Sequence, residues 1–245
     1  MIFLRSKNIL HFKPLKVAGT SFHYALAQNA EAGDIVSPLG YDRDWGKTVA
    51  SNWSTPEVEA EYIKLVQARA PHQKVHEFMK LHKASMARPF TGIVRPDRMA
   101  HLPPKEFRQE VGEDVFDKAH KVTIVRHPYT ALVSCGRMEN TEEKALQKIK
   151  NRVGKGWSNQ RFYFKDGKPV CDTYLRYEHL REDIAEFEKK FNLEILKHMP
   201  HMRKPNSGGD GGSTSDWLTQ EQKDIVYKRD KIIFDYFGYE PEGRA

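Results

Sequence analysis

The sequence predicts an α/β protein, a single domain from residue 1 to residue 245 with a central, mainly parallel β-sheet flanked by helices on both faces. Three observations lead there. Short β-rich runs alternate with stretches of helical spacing; no internal repeat or sustained heptad appears; and 245 residues fit one large domain. A chain of this size buries about 70–75% of its unfolded surface, so a real core is available.

The elements follow in chain order. Ile9 to Phe12 reads as a short apolar strand, Lys13 to Ser21 as a tight loop, and Phe22 to Ala30 as a helix. Pro56, behind Ser54-Thr55, starts a helix whose first turn carries Glu57 and Glu59, where the macrodipole favours acids. Val58, Tyr62, Ile63, Val66 and Ala70 repeat at helical spacing until Pro71, and Gln73 to Ala84 is a further helix. Pro103-Pro104 opens a short helix that Gly112 closes as a left-handed cap residue. Lys121 to Val125 is a strand, Tyr129 to Met138 a helix, and Thr141 begins a charged helix ending near Gly154. Arg161 to Val170 reads as a hairpin turning at Asp166-Gly167. Thr173 to Tyr177 is a strand and Arg181 to Phe191 a helix with Ile184, Phe187 and Phe191 on one face. Residues 205–216 are rich in glycine and serine and read as a mobile loop. Thr219-Gln220-Glu221-Gln222 fits a capping box before a long helix that Gly238 ends.

Composition narrows the function classes. The longest stretch without a formal charge, Val17 to Ala30, has 14 residues and is interrupted by polar side chains. A membrane span needs about 20 apolar residues, so none is expected. Met1-Ile2-Phe3-Leu4-Arg5 has neither the basic flank nor the apolar core of a signal peptide, and the expectation is a cytoplasmic protein. The two cysteines, Cys135 and Cys171, make no disulfide framework and no metal-ligand spacing; they read as reduced thiols, and no metal is expected. The 40 basic and 33 acidic residues leave +7, a bias toward anionic partners that does not choose among them.

Two loops carry the chemistry. In open parallel α/β sheets ligands bind beyond the carboxyl ends of the strands. Lys16-Val17-Ala18-Gly19-Thr20-Ser21 places a cation, a glycine and two hydroxyls at a helix N-terminus directly after a strand. Unpaired N–H groups and the positive end of the dipole make such a terminus an anion site. Lys16 precedes Gly19, whereas a Walker A loop has its lysine after the last glycine, so a nucleoside triphosphate with Mg²⁺ is poorly supported. The second loop is Val125-Arg126-His127-Pro128, with Ser134 eight residues after Arg126. An arginine at the end of a buried strand needs a carboxylate or a phosphate for its fork. Met202-Arg203-Lys204, beside the glycines from Gly208 to Gly212, adds adjacent cations that can fold over a polyanion.

These pieces together resemble the sulfotransferases that use 3′-phosphoadenosine 5′-phosphosulfate (PAPS). Lys16 to Ser21 is similar to that family's phosphosulfate loop, and Arg126-His127-Pro128 through Ser134 to its second signature. The resemblance implies a P-loop NTPase-like sulfotransferase architecture. It also implies a cofactor-binding loop of Lys16, Val17, Ala18, Gly19, Thr20, Ser21 and Phe22, in which Lys16, Gly19, Thr20 and Ser21 hold the 5′-phosphosulfate. Arg126 and Ser134, with Arg203 and Lys204, are implied to hold the 3′-phosphate. His101-Leu102-Pro103-Pro104 looks like the segment carrying the family's catalytic histidine. Leu15 stands where proline often precedes the loop lysine, and Met99-Ala100 replaces a lysine-containing stretch.

The implied activity transfers a sulfuryl group from PAPS to a hydroxyl or amine of a small-molecule or saccharide acceptor, leaving adenosine 3′,5′-bisphosphate (PAP). Lys16 would neutralise charge on the leaving phosphate and His101 would accept the acceptor's proton, since histidine is largely neutral near pH 7. His76 and His82, on the helix Gln73 to Ala84, compete for that role; His101 is preferred for its Leu-Pro-Pro setting. Lys144, Lys148, Lys150, Arg152 and Lys155 form a basic segment that either faces an acidic saccharide or is a solvated helix face. The rival readings are a nucleotide kinase, which would need Mg²⁺ with ATP, and a basic nucleic-acid-binding protein stacking bases on Trp45, Trp53, Tyr62 and Tyr163. Interleaving of the basic residues with acids argues against nucleic acid. The sequence does not decide the oligomeric state.

Overall fold

A computed structural model describes residues 2–37, 54–68, 70–82, 101–200 and 217–241. Its strands are β1 (Ile2–Leu4), β2 (Ile9–Phe12), β3 (Ile35–Val36), β4 (His120–Val125), β5 (Phe164–Lys165), β6 (Lys168–Pro169) and β7 (Thr173–Arg176). Its helices are α1 (Gly19–Ala27), α2 (Pro56–Gln67), α3 (His72–Leu81), α4 (Pro104–Val111), α5 (Glu113–Lys118), α6 (Pro128–Gly136), α7 (Glu142–Gly154), α8 (Gln160–Tyr163), α9 (Leu180–Phe191) and α10 (Gln220–Phe237).

Strand alternation explains how the sheet is covered. The central sheet has 5 strands in the order β3-β1-β2-β4-β7. β2, β4 and β7 are parallel, with Phe12 opposite Thr123 and Val125 opposite Arg176. β1 runs antiparallel to both of its neighbours. Successive side chains point to opposite faces. On one face Ile2, Leu4, Ile9, Val122, Ile124 and Leu175 pack with Phe22 and Leu26 of α1 and with Ile184 and Phe187 of α9. On the other, Phe3, Leu10, Phe12 and Val125 meet Tyr62 of α2, Phe78 of α3, Phe107 of α4, Phe116 of α5 and Phe162 of α8. Phe12, Phe22 and Phe107 are each 0% exposed, which contributes about 1.5–3 kcal/mol apiece. The expected α/β sheet with helices on both faces is thus present, with an antiparallel strand inside it.

Local chemistry sets the element ends. Thr219 and Gln222 form the expected capping box, with Gln222 N–H donating to Thr219 Oγ1 at 3.2 Å and Thr219 N–H to Gln222 Oε1 at 3.0 Å. Gly238, left-handed at φ 70°, ends α10. The Asp166-Gly167 turn joins β5 to β6 with both residues at positive φ. Other boundaries differ from expectation. Arg161 to Tyr163 belong to a helical turn, which buries Phe162 and Tyr163 under the sheet, and only Phe164 onward is extended. Gly112 closes α4 as expected, its N–H donating to the Arg108 carbonyl at 3.1 Å, but at φ 92°, ψ 149° it lies outside the left-handed helical region, and α5 starts directly after it.

A third apolar cluster joins α6, α7 and α10 through Tyr129, Leu132, Ile149, Val153, Val226 and Phe234. Here α6 presses on α7 at Gly136. A Cβ on that residue would lie 2.8 Å from Ile149 Cδ1 and 2.9 Å from the Ala145 carbonyl oxygen. The oxygen is backbone and cannot rotate away. Gly136→Ala is therefore expected to destabilise the fold by about 1–3 kcal/mol despite alanine's better helix propensity, read as a lower urea midpoint. An unchanged midpoint would contradict this packing.

Candidate functional site

The parallel strands β2, β4 and β7 lie side by side, so the residues that follow them meet at one end of the sheet. Lys13 follows Phe12, Arg126 follows Val125, and Tyr177 follows Arg176. A cavity of about 330 Å³ opens there. Its lining includes Lys16, Val17, Ala18, Gly19, Thr20, Ser21, His101, Arg126 and Ser134, all named from the sequence, and also Lys13, Pro14, Leu15, Met138 and Tyr177. This is the crevice position expected of ligand sites in such sheets.

The loop from β2 to α1 is shaped for an anion. Lys16 at φ 65° and Ala18 at φ 61° are both left-handed although each carries a Cβ. Each such residue costs on the order of 1 kcal/mol or more, a strain kept only where neighbours hold it. Arg126 Nη1 donates to the Lys16 carbonyl at 2.9 Å. The Asn159 side chain clamps Leu15 from both sides, accepting from its N–H at 3.0 Å and donating to its carbonyl at 2.8 Å. α1 then begins at Gly19 with no side-chain cap. The first N–H groups of a helix have no internal acceptor, and they lie at its positive end. Gly19 is required by close approach: a Cβ there would meet Lys13 Cγ at 2.7 Å.

Arg126 is held without an acidic partner among the described residues. Its Nε donates to Thr130 Oγ1 at 2.9 Å, and its guanidinium carbon lies 3.8 Å from the centre of the Tyr177 ring. Burial pulls its pKa below the ordinary arginine value, with Tyr177 and Glu178 opposing. The adjacent His127 is structural. Its Nδ1 accepts from Tyr129 N–H at 3.2 Å, so its Nε2 donates to the Glu240 carbonyl at 3.0 Å and ties the end of the chain to this loop.

His101 Nδ1 lies 2.7 Å from the Lys13 carbonyl oxygen. A carbonyl only accepts, so Nδ1 carries the proton and Nε2 keeps its lone pair. Burial, then the positive charge of Lys13, lowers its pKa to about 3. The imidazole is therefore neutral, with a fixed tautomer, and Nε2 is a proton acceptor.

Other sequence-derived residues fall elsewhere. Phe22 is 0% exposed in the core, its ring edge-on to His11 at 4.9 Å, and does not line the cavity. His82 packs against Phe78 at 4.4 Å and is not a lining residue; His76 belongs to α3. Arg203, Lys204 and the 205–216 loop lie outside the described residues, as do Trp45, Trp53, Arg98, Met99 and Ala100. Lys144, Lys150 and Lys155 are exposed on or just beyond α7, and Lys148 pairs with Glu139 at 2.5 Å. None of these residues lines the cavity.

Sequence reasoning missed Lys13, Asn159 and Tyr177. For Lys13 and Tyr177 a signal existed, since each sits just past a strand that ends in the crevice. Asn159 had none, because its clamp acts on a residue 144 positions away.

No carboxylate lines the cavity among the described residues, while three cationic side chains do. Such a lining suits an anion of high charge and sets a neutral imidazole in the same cavity. Among the described residues no group of three or more His, Cys, Asp or Glu could hold a metal ion, and no helix is long and apolar enough to cross a membrane. Comparison of the chain with known protein families, with curated proteins and with solved structures finds no match.

Proposed function

We propose that this chain is a sulfotransferase that moves a sulfuryl group from PAPS to a hydroxyl or amine of a small-molecule or saccharide acceptor. The observation that carries the reading is the meeting of Lys16, Arg126, Ser134 and His101 in one cavity free of carboxylates among the described residues. The residues fit the donor's charge: an uncapped helix N-terminus and three cations suit two anionic ends on one nucleotide.

PAPS, when bound, supplies an activated sulfuryl group on a phosphate leaving group. The α1 N-terminus with Thr20 and Ser21 would orient the phosphosulfate, while Lys16 neutralises negative charge gathering on the phosphate oxygen that departs. Arg126 and Ser134 would hold the 3′-phosphate. His101 Nε2 would take the proton of the acceptor, whose oxygen or nitrogen would receive the sulfuryl group while the electron pair of the broken sulfur–oxygen bond would stay with the phosphate. Catalysis in such a site is positioning and electrostatic stabilisation.

Calorimetric titration with PAP tests the reading. One site of micromolar affinity is expected, with weaker binding of adenosine 5′-monophosphate, which lacks the 3′-phosphate. Absence of PAP binding at high micromolar concentration, or turnover with ATP that strictly requires Mg²⁺, would overturn it. Once binding is established, labelled PAPS with a panel of acceptors identifies the second substrate.

A further inference from the structure

Lys13 is the most unusual charged group near the cavity. The residue is 5% exposed, its stem crosses Gly19, and it lines the cavity. Among the described residues its ammonium has no ion pair and no hydrogen bond. The groups facing it only add positive or neutral character: His101 on its own carbonyl, His11 and His23 from β2 and α1, and Lys16 and Arg126 across the cavity. A largely buried lysine with no counter-charge beside its ammonium is unfavourable unless something supplies the missing negative charge. No described residue does.

We propose that Lys13 is an anion-binding residue of this cavity, its ammonium taking oxygens of a tetrahedral oxyanion seated at the N-terminus of α1. On the sulfotransferase reading, on which this assignment of the ligand rests, that oxyanion is the phosphosulfate group of the donor. Burial lowers the Lys13 pKa to about 8, which makes its charge sensitive to mildly alkaline pH. Lys13 also couples the ligand to His101. Burial is the larger cause of the weak basicity of that imidazole and the positive charge of Lys13 adds to it, so an anion that neutralises Lys13 raises His101 part of the way back.

The test follows inorganic sulfate, which takes up no proton near neutrality, by amide chemical shifts of the full chain between pH 6.5 and 9.5. Wild-type affinity is expected to hold to about pH 8 and then fall about tenfold per pH unit, because the charged lysine binds and the neutral one does not. Lys13→Met should bind sulfate about 10–100-fold more weakly, with no break near pH 8. Lys13→Arg should retain binding and move the break out of range. The unliganded Lys13→Met chain should melt no lower than wild type, since it loses an unpaired charge, whereas a purely structural lysine would leave a weakened fold. No sulfate binding by the wild type, equal sulfate binding by folded Lys13→Met, or, should that variant not fold, a wild-type Lys13 ammonium signal that saturating sulfate leaves unmoved overturns the proposal. PAP separates the two claims. Sulfate binding that depends on Lys13 in a chain that binds no PAP keeps this proposal and removes the sulfotransferase reading; PAP bound equally by wild type and Lys13→Met does the reverse.

Discussion

On the sulfotransferase reading, replacing His101 by alanine is expected to lower kcat by about 10²–10⁴-fold, the range of a lost general base, while PAP binding changes little. The expectation rests on the fixed tautomer: Nδ1 is committed to the Lys13 carbonyl, so Nε2 keeps its lone pair. The pH profile makes the test sharper. A base works above its pKa, and His101 is lowered to about 3 in the free protein, so kcat/KM stays level well below pH 6, where an ordinary histidine would already be protonated. An anion-binding lysine works below its pKa, and Lys13 at about 8 sets the alkaline fall. Anion binding raises His101, so kcat falls at a higher pH on the acid side than kcat/KM does. Full activity in His101→Ala, or an acid limb of kcat/KM at an unperturbed histidine value, would remove His101 from the base role.

Arg126→Ala is expected to weaken PAP binding by about 10–100-fold, the worth of a charge-assisted, partly desolvated contact. The same guanidinium holds the Lys16 carbonyl at 2.9 Å, so its loss also releases a left-handed residue of the loop. Binding of adenosine 5′-monophosphate separates these effects. If Arg126 holds the 3′-phosphate, the variant loses far more affinity for PAP than for the monophosphate. Equal losses would make Arg126 a support of the loop alone. Arg126→Lys keeps the charge but not the fork that reaches both Thr130 and Lys16, and it should behave more like alanine than like wild type.

Much of this was legible in local chemistry. Elements fixed by caps and turn residues, such as the Thr219 capping box and the Asp166-Gly167 turn, stand where the sequence places them. The cavity loops follow from a strand, a cation and a helix start in succession. What escaped depends on partners. β1 and β3 have 3 and 2 residues, too few to display alternation, and become strands only by pairing across the sheet. Lys13 reads as one more surface cation until the fold buries it against Gly19. The proton position on His101 depends on a carbonyl 88 residues away and leaves no trace in its own neighbourhood.

The same distances bear on how the protein is made. The bonds that shape the cavity join Lys13 to His101, Lys16 to Arg126 and Leu15 to Asn159, across 88, 110 and 144 residues. None can form until the later partner has been synthesised. At about 5–20 residues per second the strained loop then waits roughly 7–30 s for Asn159 to follow it out of the ribosome. Nascent chains that stop short of Asn159 lack the clamp, and during refolding the cavity forms only after β2 and β4 have paired, a slow non-local step.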